Sequence, residues 1–90
     1  MQKKRRRYIF SGEVQCVGFR YTAYRKASEH CITGWAKNLG DGTVEMEAQG
    51  YTSDLDALER ELKRRFYLSD FEVECREIPI IADENDFGIK

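Results

Sequence analysis

The segment Gln15-Cys16-Val17-Gly18-Phe19 contains no acidic residue and is followed at once by Arg20. It interrupts an alternating pattern and precedes a helical one, so it joins a strand to the start of a helix. The first N–H groups of a helix have no intrahelical partner, and the helix dipole adds positive charge there. A loop of small residues lets such groups converge on a phosphate-like anion. Arg20 adds a planar fork that grips two oxygens at once. Asn38 offers one carbonyl oxygen and one amide group, enough to hold a water molecule in a fixed direction. These residue types leave two readings open. One is an anion site; the other is a tight turn, with Arg20 in a surface ion pair and Asn38 as ordinary turn chemistry.

Which elements position these groups follows from periodicity. Tyr8, Phe10, Gly12 and Val14 alternate with Ile9, Ser11 and Glu13, a strand pattern. From Tyr21 to about Cys31, the stripe Ala23, Tyr24, Ala27, Cys31 recurs every three or four residues, which predicts a helix. Residues 34–38 read as a short strand, and Leu39-Gly40-Asp41-Gly42-Thr43 as a turn. Val44, Met46 and Ala48 alternate with Glu45, Glu47 and Gln49, a strand with one wet face. Thr52 or Ser53 is expected to cap a second helix, whose stripe is Leu55, Leu58, Leu62 and Phe66. Phe71, Val73 and Cys75 alternate with Glu72, Glu74 and Arg76 in a fourth strand, and Phe87-Gly88-Ile89 reads as a short last edge strand.

The order β-α-β-β-α-β plus a short strand is that of the α+β ferredoxin-like sandwich, an antiparallel sheet with two helices on one face. Strands 1 and 2, joined by a helix, run parallel, and strand 3 or part of its turn fits between them. Neighbouring strands are ~4.8 Å apart, so the ends of strands 1 and 2 lie about 10 Å apart. Arg20 and Asn38 then face one rim of the sheet.

The 90 residues make one domain, with an expected basic tail at residues 1–7 and the folded unit at 8–90. Residues 1–30 carry eight Lys/Arg against two Asp/Glu, and the rest of the chain seven against fourteen. The run Lys3-Lys4-Arg5-Arg6-Arg7 is read as a solvated, frayed terminus, with attraction to nucleic acid as the rival reading. No apolar run approaches the ~20 residues that span a bilayer, and no signal-peptide segment follows the N-terminus. Cys16, Cys31 and Cys75 are odd in number and widely spaced, and His30 stands alone, so no zinc site is expected. This usage fits a reducing compartment, the cytoplasm. Cys31 and Cys75 fall on apolar stripes and are expected in the core.

Two literal strings narrow the choice. Gly12-Glu13-Val14-Gln15-Cys16-Val17-Gly18-Phe19-Arg20 resembles the first acylphosphatase signature, Gly-x-Val-Gln-Gly-Val-x-Phe-Arg. Gly34-Trp35-Ala36-Lys37-Asn38-Leu39-Gly40-Asp41-Gly42-Thr43-Val44, followed by Gly50, resembles the second. The ending Asp86-Phe87-Gly88-Ile89-Lys90 looks like the family's last strand, and the resemblance covers about residues 7–90. It implies hydrolysis of acyl phosphates to a carboxylate and inorganic phosphate, without metal or organic cofactor. Carried over by position, Arg20 binds the phosphoryl group with the N–H groups of the loop Gln15, Cys16, Val17, Gly18 and Phe19, and Asn38 orients the attacking water.

Cys16 departs from the pattern, which has glycine there. If that backbone has positive φ, a Cβ costs roughly 1 kcal/mol or more. A nucleophilic or redox-sensitive thiol and a tolerated variation are the readings. Cys-x₃-Arg is shorter than the Cys-x₅-Arg loop of thiol phosphatases, which favours tolerated variation. Tyr21 and Tyr24 are placed either at the acyl group or as helix residues with wet hydroxyls, and Trp35 either at the rim or packed on the sheet. The partner expected is a small acyl phosphate, bound by a monomer with no membrane contact. The alternatives are an anion-binding module weakened by Cys16 and, ranked last, a nucleic-acid-binding domain. Glu45, Glu47, Gln49, Glu72 and Glu74 would make the open sheet face acidic and repel a phosphate backbone.

Overall fold

The computed structural model describes residues 2–15, 17–67 and 70–90. Its elements are β1 (Lys3–Gly12), α1 (Phe19–Glu29), β2 (Thr33–Asn38), β3 (Val44–Tyr51), α2 (Thr52–Arg65), β4 (Phe71–Ile78) and β5 (Phe87–Ile89). The strand order is β4-β1-β3-β2-β5. β3 is antiparallel to both β1 and β2, so those two run parallel and deliver their ends to one rim. β5 pairs with β2 in parallel, so the sheet is mixed where the sequence suggested an antiparallel one. No helix is long and apolar enough to cross a membrane.

Both helices lie on the face formed by the even-numbered residues of β1. Tyr8 and Phe10 of β1 and Val44, Met46 and Ala48 of β3 meet Leu55, Leu58 and Leu62 of α2, all with no exposure. Burying such a side chain contributes about 1.5–3 kcal/mol. On α1 the buried stripe is Phe19, Ala23 and Ala27, one turn earlier than the periodicity suggested. Phe19 anchors the start of α1, with its ring centroid 4.7 Å from that of Phe10 and 5.0 Å from that of Phe66. The helix N-terminus is thereby pinned to the core at the residue next to Gly18 and Arg20.

Several expectations are corrected. Residues 3–7 are not a tail: β1 starts at Lys3 and crosses the expected boundary before Tyr8. Every cation from Lys4 to Arg7 has a carboxylate partner. Lys4 pairs with Glu77 at 3.3 Å, Arg6 with Asp56 at 2.7 Å and Arg7 with Glu45 at 2.6 Å. Arg5 is fully buried on the otherwise open face, between Glu47 at 2.8 Å and Glu84 at 2.8 Å. Burial works against its charge, but the two carboxylates outweigh that and hold its pKa above the ordinary value. These partners lie on distant segments of the chain, where local composition cannot reveal them. Gln49, expected on the wet face, is covered by the segment after β4, exchanging hydrogen bonds of 2.9 Å with both Ile81 N–H and Ile81 C=O.

Cys31 and Cys75 are exposed, not core residues. Cys31 sits past the end of α1 with φ +55°, where the chain turns back to β2. Cys75 lies on β4, at the sheet edge, where helix cover gives out beyond the partly buried Phe71 and Val73. The residue that caps α2 is Tyr51, and its side chain makes no capping bond.

Candidate active site

The site is built on the connection from β1 to α1. Gly12 ends β1 with φ +115°, and a Cβ there would lie 2.2 Å from the carbonyl oxygen of Asp70. Only glycine permits that approach, and the N–H of Val14 then closes a tight turn on Gly12 C=O at 2.9 Å. Val14 is buried, so the loop leaves the sheet with one foot in the core. Gly18 caps α1 in the left-handed conformation, φ 79° and ψ 18°. No side chain caps this end, and its first turn contains no acid. In α2, by contrast, Asp54 occupies the first turn. An uncapped helix start without a carboxylate leaves its N–H groups and positive dipole end to an anion.

Of the expected loop residues, Val17 and Gly18 are exposed and Phe19 is buried, so Phe19 brings only its backbone to the rim. Cys16 lies outside the described residues. Arg20 follows as the second residue of α1. Its Nη1 donates to the carbonyl oxygen of Lys90 at 2.7 Å. The N–H of Lys90 in turn donates to Ala36 C=O at 2.8 Å, which ties Arg20 to β2 two residues before Asn38. Unlike Arg5, Arg6 and Arg7, Arg20 has no Asp or Glu side chain at ion-pair distance among the described residues. Its charge is therefore available to a ligand.

Asn38 is the last residue of β2, opposite Val44 at the mouth of the β2–β3 turn. Its Oδ1 is buried and has no hydrogen-bond partner among the described residues. The other atom in that condition, the Tyr8 hydroxyl, lies in the core. The turn is closed by Leu39 N–H to Thr43 C=O at 2.8 Å. The Asp41 carboxylate accepts from Thr43 Oγ1 at 2.6 Å and Thr43 N–H at 3.0 Å. Those bonds hold its pKa below the usual carboxylate value.

Gln15 has a role that the sequence did not reveal. Its Nε2 donates to Leu39 C=O at 2.8 Å and to Thr43 C=O at 2.9 Å. The side chain thus clasps the β1–α1 loop to the turn that carries Asn38. A glutamine in a small-residue loop is the only available hint, since spacing does not identify acceptors 24 and 28 positions away. Trp35 packs on the open sheet face, with Lys90 Nζ 4.4 Å from its ring centroid. Among the described residues, no group of three or more His, Cys, Asp or Glu has the placement to hold a metal ion.

This arrangement brings an anion-ready helix start, an arginine without an acidic side-chain partner and the side-chain amide of Asn38 to one rim. Known proteins resemble the chain in sequence and in fold. The acylphosphatase family model matches residues 6–89. An acylphosphatase of Chlorobaculum tepidum is 49% identical over 63 residues, which is 70% of this chain and 68% of that protein. One from Clostridium beijerinckii is 35% identical over 83 residues, 91% of this chain and 92% of the relative. The crystal structure of acylphosphatase from Bacillus subtilis matches with a TM-score of 0.86 at 30% identity, covering 99% of each chain. By sequence and by fold, the chain belongs to the acylphosphatase family.

Proposed function

We propose that the rim formed by the β1–α1 loop, Arg20 and Asn38 hydrolyses acyl phosphates. The phosphoryl oxygens rest on the N–H groups at the start of α1, and Arg20 binds them in a fork. The side-chain amide of Asn38 holds a water molecule and directs its oxygen at phosphorus. The water oxygen forms the new P–O bond as the bond from phosphorus to the acyl oxygen breaks. The electron pair of that bond leaves on the carboxylate, and a proton of the water passes to a phosphoryl oxygen. A carboxylate is a good leaving group, so positioning and charge stabilisation suffice, and neither histidine nor an acidic residue is needed at the rim.

The uncapped, acid-free start of α1 with Arg20 in its first turn carries this reading most directly. The test is hydrolysis of benzoyl phosphate, with a chelator present, by the wild type, Arg20→Ala and Asn38→Ala. Each substitution is expected to lower kcat/KM by about 100-fold or more, the scale of one lost transition-state donor. Wild-type turnover retained by both variants would remove Arg20 and Asn38 from the mechanism.

The protein is read as a cytoplasmic monomer. The free thiols Cys31 and Cys75 suit a reducing compartment. The open sheet face bears charged side chains and ion pairs, not an apolar patch. Nucleic-acid binding through Lys3–Arg7 is disfavoured, because Lys4 to Arg7 are already neutralised within the protein.

A further inference from the structure

Acyl phosphate hydrolysis at this rim, as proposed, gives the phosphate a cradle but the acyl half of the substrate no surface. Resting on that reading, we infer that Tyr21, backed by Tyr24 and flanked by Val17, is the platform for the acyl group. It biases the enzyme toward acyl phosphates with aromatic or large apolar acyl groups.

Tyr21 is the third residue of α1 (Phe19–Glu29), and its own N–H belongs to the unpaired first turn. Helical side chains lean toward the helix N-terminus and cover the turn before their own Cα. The Tyr21 ring therefore overhangs the mouth of the loop where the phosphoryl group rests. Core packing does not require it there, because Phe19, Ala23 and Ala27 fill the buried face of α1. Instead, Tyr21 is 57% exposed, Val17 43% and Tyr24 39%. Exposed apolar surface on both sides of Arg20 in the chain, at Val17 and Tyr21, is useful to a ligand that joins an apolar group to a phosphate. The rings of Tyr21 and Tyr24 have centroids 6.2 Å apart, so the second tyrosine holds the first in place. Trp35 lies on the open sheet face, where Lys90 Nζ covers its ring at 4.4 Å.

The experiment compares kcat/KM for benzoyl phosphate and acetyl phosphate in the wild type, Tyr21→Ala, Tyr21→Phe and Tyr24→Ala, together with inhibition by inorganic phosphate. In Tyr21→Ala the benzoyl-to-acetyl ratio is expected to fall about tenfold, the upper range of one aromatic contact. Tyr21→Phe keeps the ratio, since the ring face and not the hydroxyl makes the contact. Tyr24→Ala lowers it by about 2–3-fold, the low end of an aromatic pair. An unchanged ratio in Tyr21→Ala overturns the platform. So does a weaker inhibition by phosphate that accounts for the loss, because it places the damage in the cradle. Failure of the wild type to hydrolyse either substrate refutes instead the acyl phosphatase reading on which the platform rests.

Discussion

Replacing Gln15 with methionine isolates the clasp between the two halves of the site. Methionine keeps the length and much of the volume of the side chain but has no N–H. Two hydrogen bonds are lost, at 2.8 and 2.9 Å. Neither acceptor is orphaned. Leu39 C=O still receives Gly42 N–H at 3.2 Å, and Thr43 C=O still receives Leu39 N–H at 2.8 Å. The loss is therefore the net worth of two bonds, about 1 kcal/mol each, with no added desolvation penalty. For a domain of this size, about 2 kcal/mol lowers Tm by roughly 8–16 °C. Turnover should fall further than stability explains, because the clasp fixes Asn38 relative to the cradle. A displacement of about 1 Å there costs up to about 100-fold. The effect should appear in kcat, while inhibition by inorganic phosphate changes by no more than about 2–3-fold, because Phe19 still anchors the helix start. Thermal melts and steady-state kinetics on benzoyl phosphate read both quantities. A variant with wild-type Tm and wild-type kcat would show that the clasp carries neither load. Gln15→Glu should be worse than methionine, since it aims a carboxylate at two carbonyl oxygens.

Glu84→Gln leaves the fully buried Arg5 with Glu47 as its one carboxylate partner. Breaking a buried pair in this way costs about 3 kcal/mol, the low end of its range because Glu47 remains, and urea denaturation measures it. Burial pushes the Glu84 carboxyl up, but its bonds to Arg5 and Thr33 outweigh that and hold it below the usual 4.5. Because the folded pKa is depressed, this stabilisation is present above pH 4.5 and is lost as pH falls through the folded value. The acid limb of stability against pH should accordingly be shallower in Glu84→Gln than in the wild type. Gly12→Ala forces a Cβ to within 2.2 Å of Asp70 C=O at φ +115°, so β1 and the start of β4 must part. A loss of about 2 kcal/mol or more is expected, with a melt well below the wild type. A neutral Gly12→Ala melt would contradict the close approach described for the loop.

The sequence made some of this plain and hid the rest. The stripe Leu55, Leu58, Leu62 and Phe66 is entirely buried, as its spacing required. Such patterns are local, and a helix or strand that buries one face must repeat with its own period. Arg20 and Asn38 came from two literal strings, whose residue types match an anion and a water. Gln15 was visible as a loop residue, yet its side-chain acceptors depend on how two distant turns meet. Arg5 went further astray. A run of five cations looks solvated when Glu47 and Glu84 are unseen, and the register Arg5↔Gln49 is a property of the sheet. Cys75 shows the reverse error: it keeps the alternation of its strand, but the helices do not extend over that edge. The pattern reports which face a residue takes and says nothing of what covers the face.

The bond from Arg20 to Lys90 has a consequence for how activity appears during folding. Arg20 belongs to the second element of the chain, and its restraint arrives from beyond the last strand, 70 positions later. A refolding molecule can therefore form both helices and pair β1 with β3 while its arginine still swings freely. Only when β5 zips onto β2, through the bond of Lys90 to Ala36, is the fork held in place. Such distant closures are slow compared with helix formation. Recovery of turnover after dilution from denaturant should then lag behind the helical circular dichroism signal, and catalysis itself becomes a clock for the docking of three residues at the sheet edge.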